Sequence, residues 1–158
     1  MGGLLFCILI LKVFIRTLFM TDCCKFIFWR KQMPEVILNG PHGRIECRYH
    51  SGQSPDSPIA LILHPEPNQG GSMNNKISYG MYHEFRNRGF SVLRFNFRGV
   101  GRSEGMYEGG EGELADAAAV LDWIQSQNIH SRYTFIAGFS FGSWVGMQLM
   151  MRRPEIFG

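Results

Sequence analysis

The feature that most constrains this chain is the Gly-Phe-Ser-Phe-Gly sequence at residues 138–142. The apolar run at 133–138 ends within this five-residue sequence, and the apolar helical pattern at 141–152 begins within it. A strand that turns directly into a helix strains the backbone at its tip, and glycines on either side let the two elements pass closely. We therefore predict a strand, a sharp turn with Ser140 at its tip, and a helix.

This turn would expose the hydroxyl of Ser140 to a substrate. Ser140 would project into open space, and Gly-x-Ser-x-Gly between a strand and a helix is typical of a nucleophilic serine. The N–H of Phe141 lies at the N-terminus of the predicted helix, where backbone donors stabilise an anion. We interpret Ser140 as the nucleophile and the Phe141 N–H as one donor of an oxyanion hole.

A second candidate region follows the apolar run at 59–63, which has the composition of a strand buried on both faces of a parallel sheet. This region is the His-Pro-Glu-Pro sequence at 64–67, and α/β sheets place their sites at such strand ends. Because proline has no N–H, the Glu66 N–H is our candidate for the second oxyanion donor. The alternative is a rigid loop with no catalytic part. For His64 we expect a role in organising this loop rather than a role as the base.

The remaining patterns give the order of the elements. Apolar patterns predict strands at 34–38, 44–49, 59–63, 90–97 and 133–138, and helices at 77–88, 113–127 and 141–152. The first two strands are joined by turn residues and form a hairpin, after which strands and helices alternate. That order predicts a three-layer α/β fold with a mostly parallel sheet. Trp123 and Trp144 fall on helical patterns that face apolar neighbours, so we expect both in the core.

The formal net charge of +3 is unevenly distributed. Residues 1–32 carry +4 and residues 33–158 carry −1, so the body of the chain has no basic field that would attract nucleic acid. We divide the chain into an apolar and basic extension at 1–32 and one domain at 33–158. The extension has a short apolar run with charges near it, which favours a misassigned start over a membrane anchor. An anchor is the alternative.

We expect neither a metal nor a cofactor. The four cysteines have neither zinc-ligand spacing nor a disulfide pattern, which favours a reducing compartment. The glycine-rich stretch at 99–105 is one residue too long for a dinucleotide fingerprint, and no helix begins directly in it. We predict a cytoplasmic protein, with attachment to an inner membrane through residues 1–32 as the alternative.

Four segments together resemble the α/β-hydrolase superfamily, in particular small bacterial serine hydrolases near the dienelactone-hydrolase and serine-aminopeptidase-like groups. These segments are 64–67, 70–76, 93–105 and 138–142. The resemblance implies hydrolysis of an ester or amide bond in a small acyl substrate, without a cofactor. That subgroup usually has His-Pro-His-Pro where this chain has Glu66 in the third position, which changes a side chain but leaves the backbone donor.

The resemblance also implies an acid and a histidine that complete a triad with Ser140 from later strands and loops. After Ser140 the sequence has one acid, Glu155, and no histidine. We therefore expect a partial fold with its C-terminal strands missing and a chain that is inactive alone. The alternative is a non-catalytic, membrane-tethered remnant. We also expect an unpaired, apolar outer edge on the strand before Ser140, which would need a partner to cover it.

Overall fold

The computed structural model describes residues 35–157, and the extension at 1–32 lies outside the described residues. The strands are β1 (Glu35–Gly40), β2 (Gly43–His50), β3 (Ile59–Leu63), β4 (Ser91–Phe95), β5 (Thr134–Gly138) and β6 (Ile156–Phe157). The α-helices are α1 (Lys76–Asn87), α2 (Glu111–Gln127) and α3 (Phe141–Arg152), and a 3-10 turn spans Pro67–Gln69. Within residues 35–157, no helix has the length and apolar character needed to cross a membrane.

These elements are organised by one six-stranded sheet in the order β1-β2-β4-β3-β5-β6. β1 and β2 form the predicted hairpin and pair antiparallel, and β2 pairs antiparallel with β4. The neighbouring strands β4, β3, β5 and β6 run parallel to one another. Because parallel strands end at the same edge of a sheet, the loops that follow β3, β4 and β5 meet there.

Helices cover both faces of this sheet. On one face, Tyr82 of α1 packs with Ala60, Ile62 and Val92. On the other face, α2 and α3 cover the sheet side chains that point away from α1. Together with buried residues of these two helices, they form the larger of two hydrophobic clusters. β3 lies between the two layers and is buried along its whole length. The predicted three-layer α/β fold with a mostly parallel sheet is therefore confirmed.

The end of the chain differs from the sequence prediction. β3 and α3 have the predicted bounds, but no strand was predicted after α3, and β6 pairs parallel with Thr134 and Phe135 of β5. A strand of two residues is too short to show a period-2 pattern, so the sequence carried no signal for it. The expectation of a fully unpaired outer edge on β5 is wrong at these two residues.

A buried ion pair fixes the loop between β4 and α2. The Arg98 side chain is 1% exposed, and its Nε and Nη2 donate to the two carboxylate oxygens of Asp116 at 2.8 and 2.7 Å. Its Nη1 lies 2.8 Å from Glu108 Oε1. A Cβ on Gly112 would lie 2.1 Å from this nitrogen, so a larger residue there would displace the guanidinium. Because a buried charge is stable only with its partner, this pair holds the loop on α2.

We expect Arg98→Met to lower the free energy of unfolding by about 3 kcal/mol or more, because the Asp116 carboxylate would stay buried without a partner. Urea unfolding in dilute solution, followed by tryptophan fluorescence, measures the effect. Arg44→Met is the matched control, since Arg44 also pairs with a carboxylate, that of Glu104, but at the exposed surface. Equal losses in the two variants would contradict a special role for the buried pair.

Candidate active site

The turn between β5 and α3 holds its serine in an unusual backbone conformation. Ser140 has φ +55° and ψ −117°, and it alone among the non-glycine residues of 35–157 has a positive φ. Such a conformation costs on the order of 1–3 kcal/mol and persists only where neighbours impose it. The N–H groups of Ser143 and Trp144 donate to the Ser140 carbonyl at 3.0 and 3.2 Å, and the Ser143 hydroxyl donates to the Gly138 carbonyl at 2.8 Å. The Ser140 residue itself is exposed.

Two glycines allow the strand, the helix and the neighbouring strand to meet at this turn. A Cβ on Gly138 would lie 2.5 Å from the Gly142 carbonyl carbon. A Cβ on Gly142 would lie 2.4 and 2.6 Å from the carbonyl oxygens of Leu63 and His64. The first turn of α3 is therefore pressed against the end of β3, and Ser140 lies beside the loop that follows β3.

That loop brings Glu66 to the same edge of the sheet. The Glu66 carbonyl accepts the N–H groups of Gln69 and Gly71 at 3.1 and 3.0 Å, and its carboxylate accepts the Asn68 N–H at 3.3 Å. Within residues 35–157, the N–H groups of Glu66 and Phe141 have no hydrogen-bond acceptor. These are the two donors that the sequence analysis predicts for an oxyanion hole, and that role stays a prediction.

His64 links this loop to the one that follows β4. The residue is 1% exposed, its Nδ1 lies 2.6 Å from the Pro65 carbonyl oxygen, and the Phe97 N–H donates to its Nε2 at 3.0 Å. Since a carbonyl can only accept, Nδ1 carries the proton and the ring is neutral. Burial lowers the pKa of His64 to about 4, although the bond to Pro65 opposes this shift. Both ring nitrogens are therefore engaged inside the fold, between the Pro65 carbonyl and the Phe97 N–H.

Two buried polar residues of the β4 end hold the next part of the same loop. Arg94 donates from Nη1 to the Met73 carbonyl and to the Asn74 side-chain oxygen, both at 2.7 Å. The Met73 N–H donates to Asn96 Oδ1 at 2.8 Å. Sequence reasoning did not assign these roles, because an arginine and an asparagine within an apolar strand show no partner until the fold is known.

An aromatic row lies beside Ser140, formed by Tyr107, Phe141 and Trp144. The Tyr107 and Phe141 ring centroids are 5.7 Å apart, and the Phe141 and Trp144 rings stack at 5.9 Å with 27° between their planes. The Tyr107 hydroxyl donates to Glu66 Oε2 at 3.2 Å, which joins the row to the loop after β3. Trp144 is 46% exposed, so the expectation that it lies in the core is wrong, whereas Trp123 is partly buried against the larger cluster.

Tyr107 is the site-lining residue that the sequence analysis missed. It stands in the loop between β4 and α2, where no periodic pattern marks a side chain that points inward. One signal was available. Because β4 is a parallel strand, its following loop lies at the same edge as Ser140, and aromatic residues of that loop are candidates to contact the site.

The hydrogen bonds of the Ser140 hydroxyl and the metal-ligating side chains can be stated for the described residues. Within residues 35–157, the Ser140 hydroxyl makes no hydrogen bond to a histidine or a carboxylate. The same part of the chain has no group of three or more histidine, cysteine, aspartate or glutamate residues that could hold a metal ion. The predicted absence of a metal and of a cofactor stays a prediction.

The neutral state of His64 predicts a pH dependence of stability. Its pKa is lower in the fold than in the unfolded chain, so the unfolded state binds more protons as the pH falls, and stability is lost in that direction. For a shift from 6.5 to about 4, the free energy of unfolding should fall by about 2 kcal/mol between pH 7 and pH 5. Urea unfolding over this range measures the slope.

His64→Gln should lower stability at pH 7 and flatten this slope, because the titrating group is gone. His130→Gln, at an exposed turn, is the control and should leave the slope unchanged. A steep slope that survives in His64→Gln would show that another group causes the pH dependence.

Comparison with known proteins places this geometry in a family. Residues 49–156 match the family model of the X-Pro dipeptidyl-peptidases (S15 family). A protein of Rickettsia prowazekii is 54% identical over 124 residues, which are 78% of this chain and 52% of that protein. The chain therefore spans about half the length of this relative.

Solved structures show the same partial coverage. A crystal structure from Agrobacterium tumefaciens is 57% identical with a TM-score of 0.76, over 78% of this chain and 56% of that one. An α/β serine hydrolase without a lid, from Xanthomonas campestris, is 33% identical with a TM-score of 0.70, over 77% of this chain and 57% of that one. We conclude that this chain belongs to the α/β hydrolases, in the X-Pro dipeptidyl-peptidase (S15) family.

Proposed function

We propose that this chain carries the nucleophile and the oxyanion hole of a serine hydrolase that cleaves an ester or amide bond. The backbone of Ser140 carries the argument, because a non-glycine residue at φ +55° exposes its hydroxyl at a cost in stability. The free N–H groups of Phe141 and Glu66 are the proposed oxyanion donors. His64 is assigned to the loop rather than to catalysis.

We assign the acid and the base of the proposed triad to a part of the protein that the structure does not describe. An unassisted serine hydroxyl is a poor nucleophile at neutral pH, and within residues 35–157 the Ser140 hydroxyl has no hydrogen bond to a base. The relatives extend beyond the part that this chain matches. We propose that such polypeptide would also cover the rest of the outer edge of β5, and that turnover by the chain alone is low because only the oxyanion hole and binding remain.

Covalent labelling tests the nucleophile without requiring turnover. We expect an alkyl fluorophosphonate to form an adduct on Ser140, identified by peptide mass spectrometry, and we expect imidazole in the buffer to speed the reaction by acting as the missing base. Ser140→Ala should abolish the adduct. Ser126→Ala is the control, since Ser126 is an exposed serine in the last turn of α2, and it should keep the label.

Two outcomes would contradict the proposal. A label that persists in Ser140→Ala would assign the reactive group elsewhere. No Ser140 adduct even with imidazole would favour the non-catalytic alternative.

A further inference from the structure

Arg94 places a positive charge between β4 and α1 without a carboxylate partner. The residue is 3% exposed, and its Nη1 donates to two neutral acceptors, the Met73 carbonyl and Asn74 Oδ1, both at 2.7 Å. Its Nε is buried without a hydrogen-bond acceptor, and within residues 35–157 Arg94 forms no ion pair. Because a buried charge is stable only when it is paired and hydrogen-bonded, this guanidinium lacks a counter-charge.

Side chains of α1 bring three more buried polar atoms without a partner to the same place. These atoms are Ser78 Oγ, Tyr82 OH and His83 Nε2. The Arg94 Cζ lies 5.1 Å from the Tyr82 ring centre, and the His83 ring centre lies 5.3 Å from that of Tyr82. Ser78 stands one helical turn before Tyr82 on the same face of α1, and both residues are completely buried. We call these four residues, Ser78, Tyr82, His83 and Arg94, the Arg94 cluster.

The charges around the Arg94 cluster are positive in excess. Arg48 lies directly across from Arg94 in the pairing of β2 with β4, and Glu35 neutralises it at 2.9 Å. Arg86 acts on both rings of the cluster from α1, and within residues 35–157 it has no ion pair. The carboxylate of Glu46 acts on Arg94 from β2, but it is held by two hydrogen bonds from the loop after β4, at 2.8 and 2.9 Å.

We propose that the Arg94 cluster binds a small monovalent inorganic anion, of the size of chloride, between α1 and the sheet. The anion would accept the Nε–H of Arg94 and the hydroxyl protons of Ser78 and Tyr82, and its charge would pair with the guanidinium. A water molecule would satisfy the hydroxyls but not the charge. The inference is independent of the proposed hydrolase function, because no residue of the cluster lies in the turn of Ser140 or in the loop of Glu66.

Tyr79 separates the Arg94 cluster from solvent. Its ring centre lies 4.9 Å from the Arg94 Cζ and 4.3 Å from the His83 ring centre, and the residue is 42% exposed. Movement of this one surface side chain would admit a small ion and keep a large one outside. Since Arg94 also holds Met73 and Asn74, the bound ion would stabilise the segment that leads into α1 as well.

Thermal unfolding in two sodium salts tests the site. The chain is unfolded in chloride and in gluconate, a monovalent anion too large to enter, at equal ionic strength, so that screening of surface charges is the same. We expect Tm to be higher in chloride by about 4 °C and the gain to saturate as chloride replaces gluconate. Tryptophan fluorescence follows the transition. Equal Tm values in the two salts would overturn the proposal.

Tyr82→Phe distinguishes an anion from a water molecule. In gluconate the variant removes a buried hydroxyl that has no partner, so Tm should be unchanged or higher. In chloride it removes a donor to the anion, so the gain in Tm should fall to about half or less. Tyr133→Phe is the matched control, because Tyr133 is 53% exposed and lies outside the cluster, and it should keep the full gain. An equal loss of Tm in both salts for Tyr82→Phe would assign a water molecule to the cluster and overturn the proposal.

Arg94→Gln assigns the effect to the guanidinium. Glutamine keeps a donor for the Met73 carbonyl but has no charge, so the gain in chloride should vanish. Arg88→Gln is the control, since Arg88 is an exposed arginine at the end of α1, paired with Glu84, and it should keep the gain. A chloride effect that survives Arg94→Gln would place the anion elsewhere and refute the site. If Arg94→Gln does not fold, the opposite responses of Tyr82→Phe in the two salts decide the question.

Discussion

The close contact between the first turn of α3 and the end of β3 is the constraint on which the candidate site depends. No side chain fits on Gly142, because the carbonyl oxygens of Leu63 and His64 occupy the place of a Cβ. Helix α3 can therefore start only where β3 stops, and the loop after β3 must turn away beside Ser140. A larger residue at 142 would move the helix away and separate the serine from the Glu66 N–H, although both loops could stay folded.

Buried polar groups then hold two loops of this edge, those that follow β3 and β4. His64 joins the loop after β3 to the backbone of Phe97, and Arg98 joins the loop after β4 to α2 through Asp116. Hydrogen bonds of this kind contribute little net stability when they are made, but each leaves a costly unpaired group when one partner is lost. Their effect is to allow one arrangement of the loops, which places Tyr107 on Phe141.

These contacts explain which parts of the fold and of the candidate site could be predicted from the sequence. The strand–turn–helix around Ser140 was predictable because glycines at fixed offsets and apolar periodicity mark it directly. The order of the sheet was predictable from the alternation of elements. Tyr107 and β6 were not, because an irregular loop and a two-residue strand have no period. Trp144 was misplaced because α3 is apolar on more than one side, and periodicity alone does not tell which side is covered.

The backbone of Ser140 also gives a criterion for sorting related sequences. Glycine adopts φ +55° without steric cost, so a glycine at this position would relieve the strain and lose the hydroxyl. Stability thus favours glycine at this position, whereas the proposed hydrolase function requires serine. In related domains that have lost catalysis, glycine at this position would increase stability and should replace the serine. A serine that is kept there despite its cost in stability would indicate selection for catalysis.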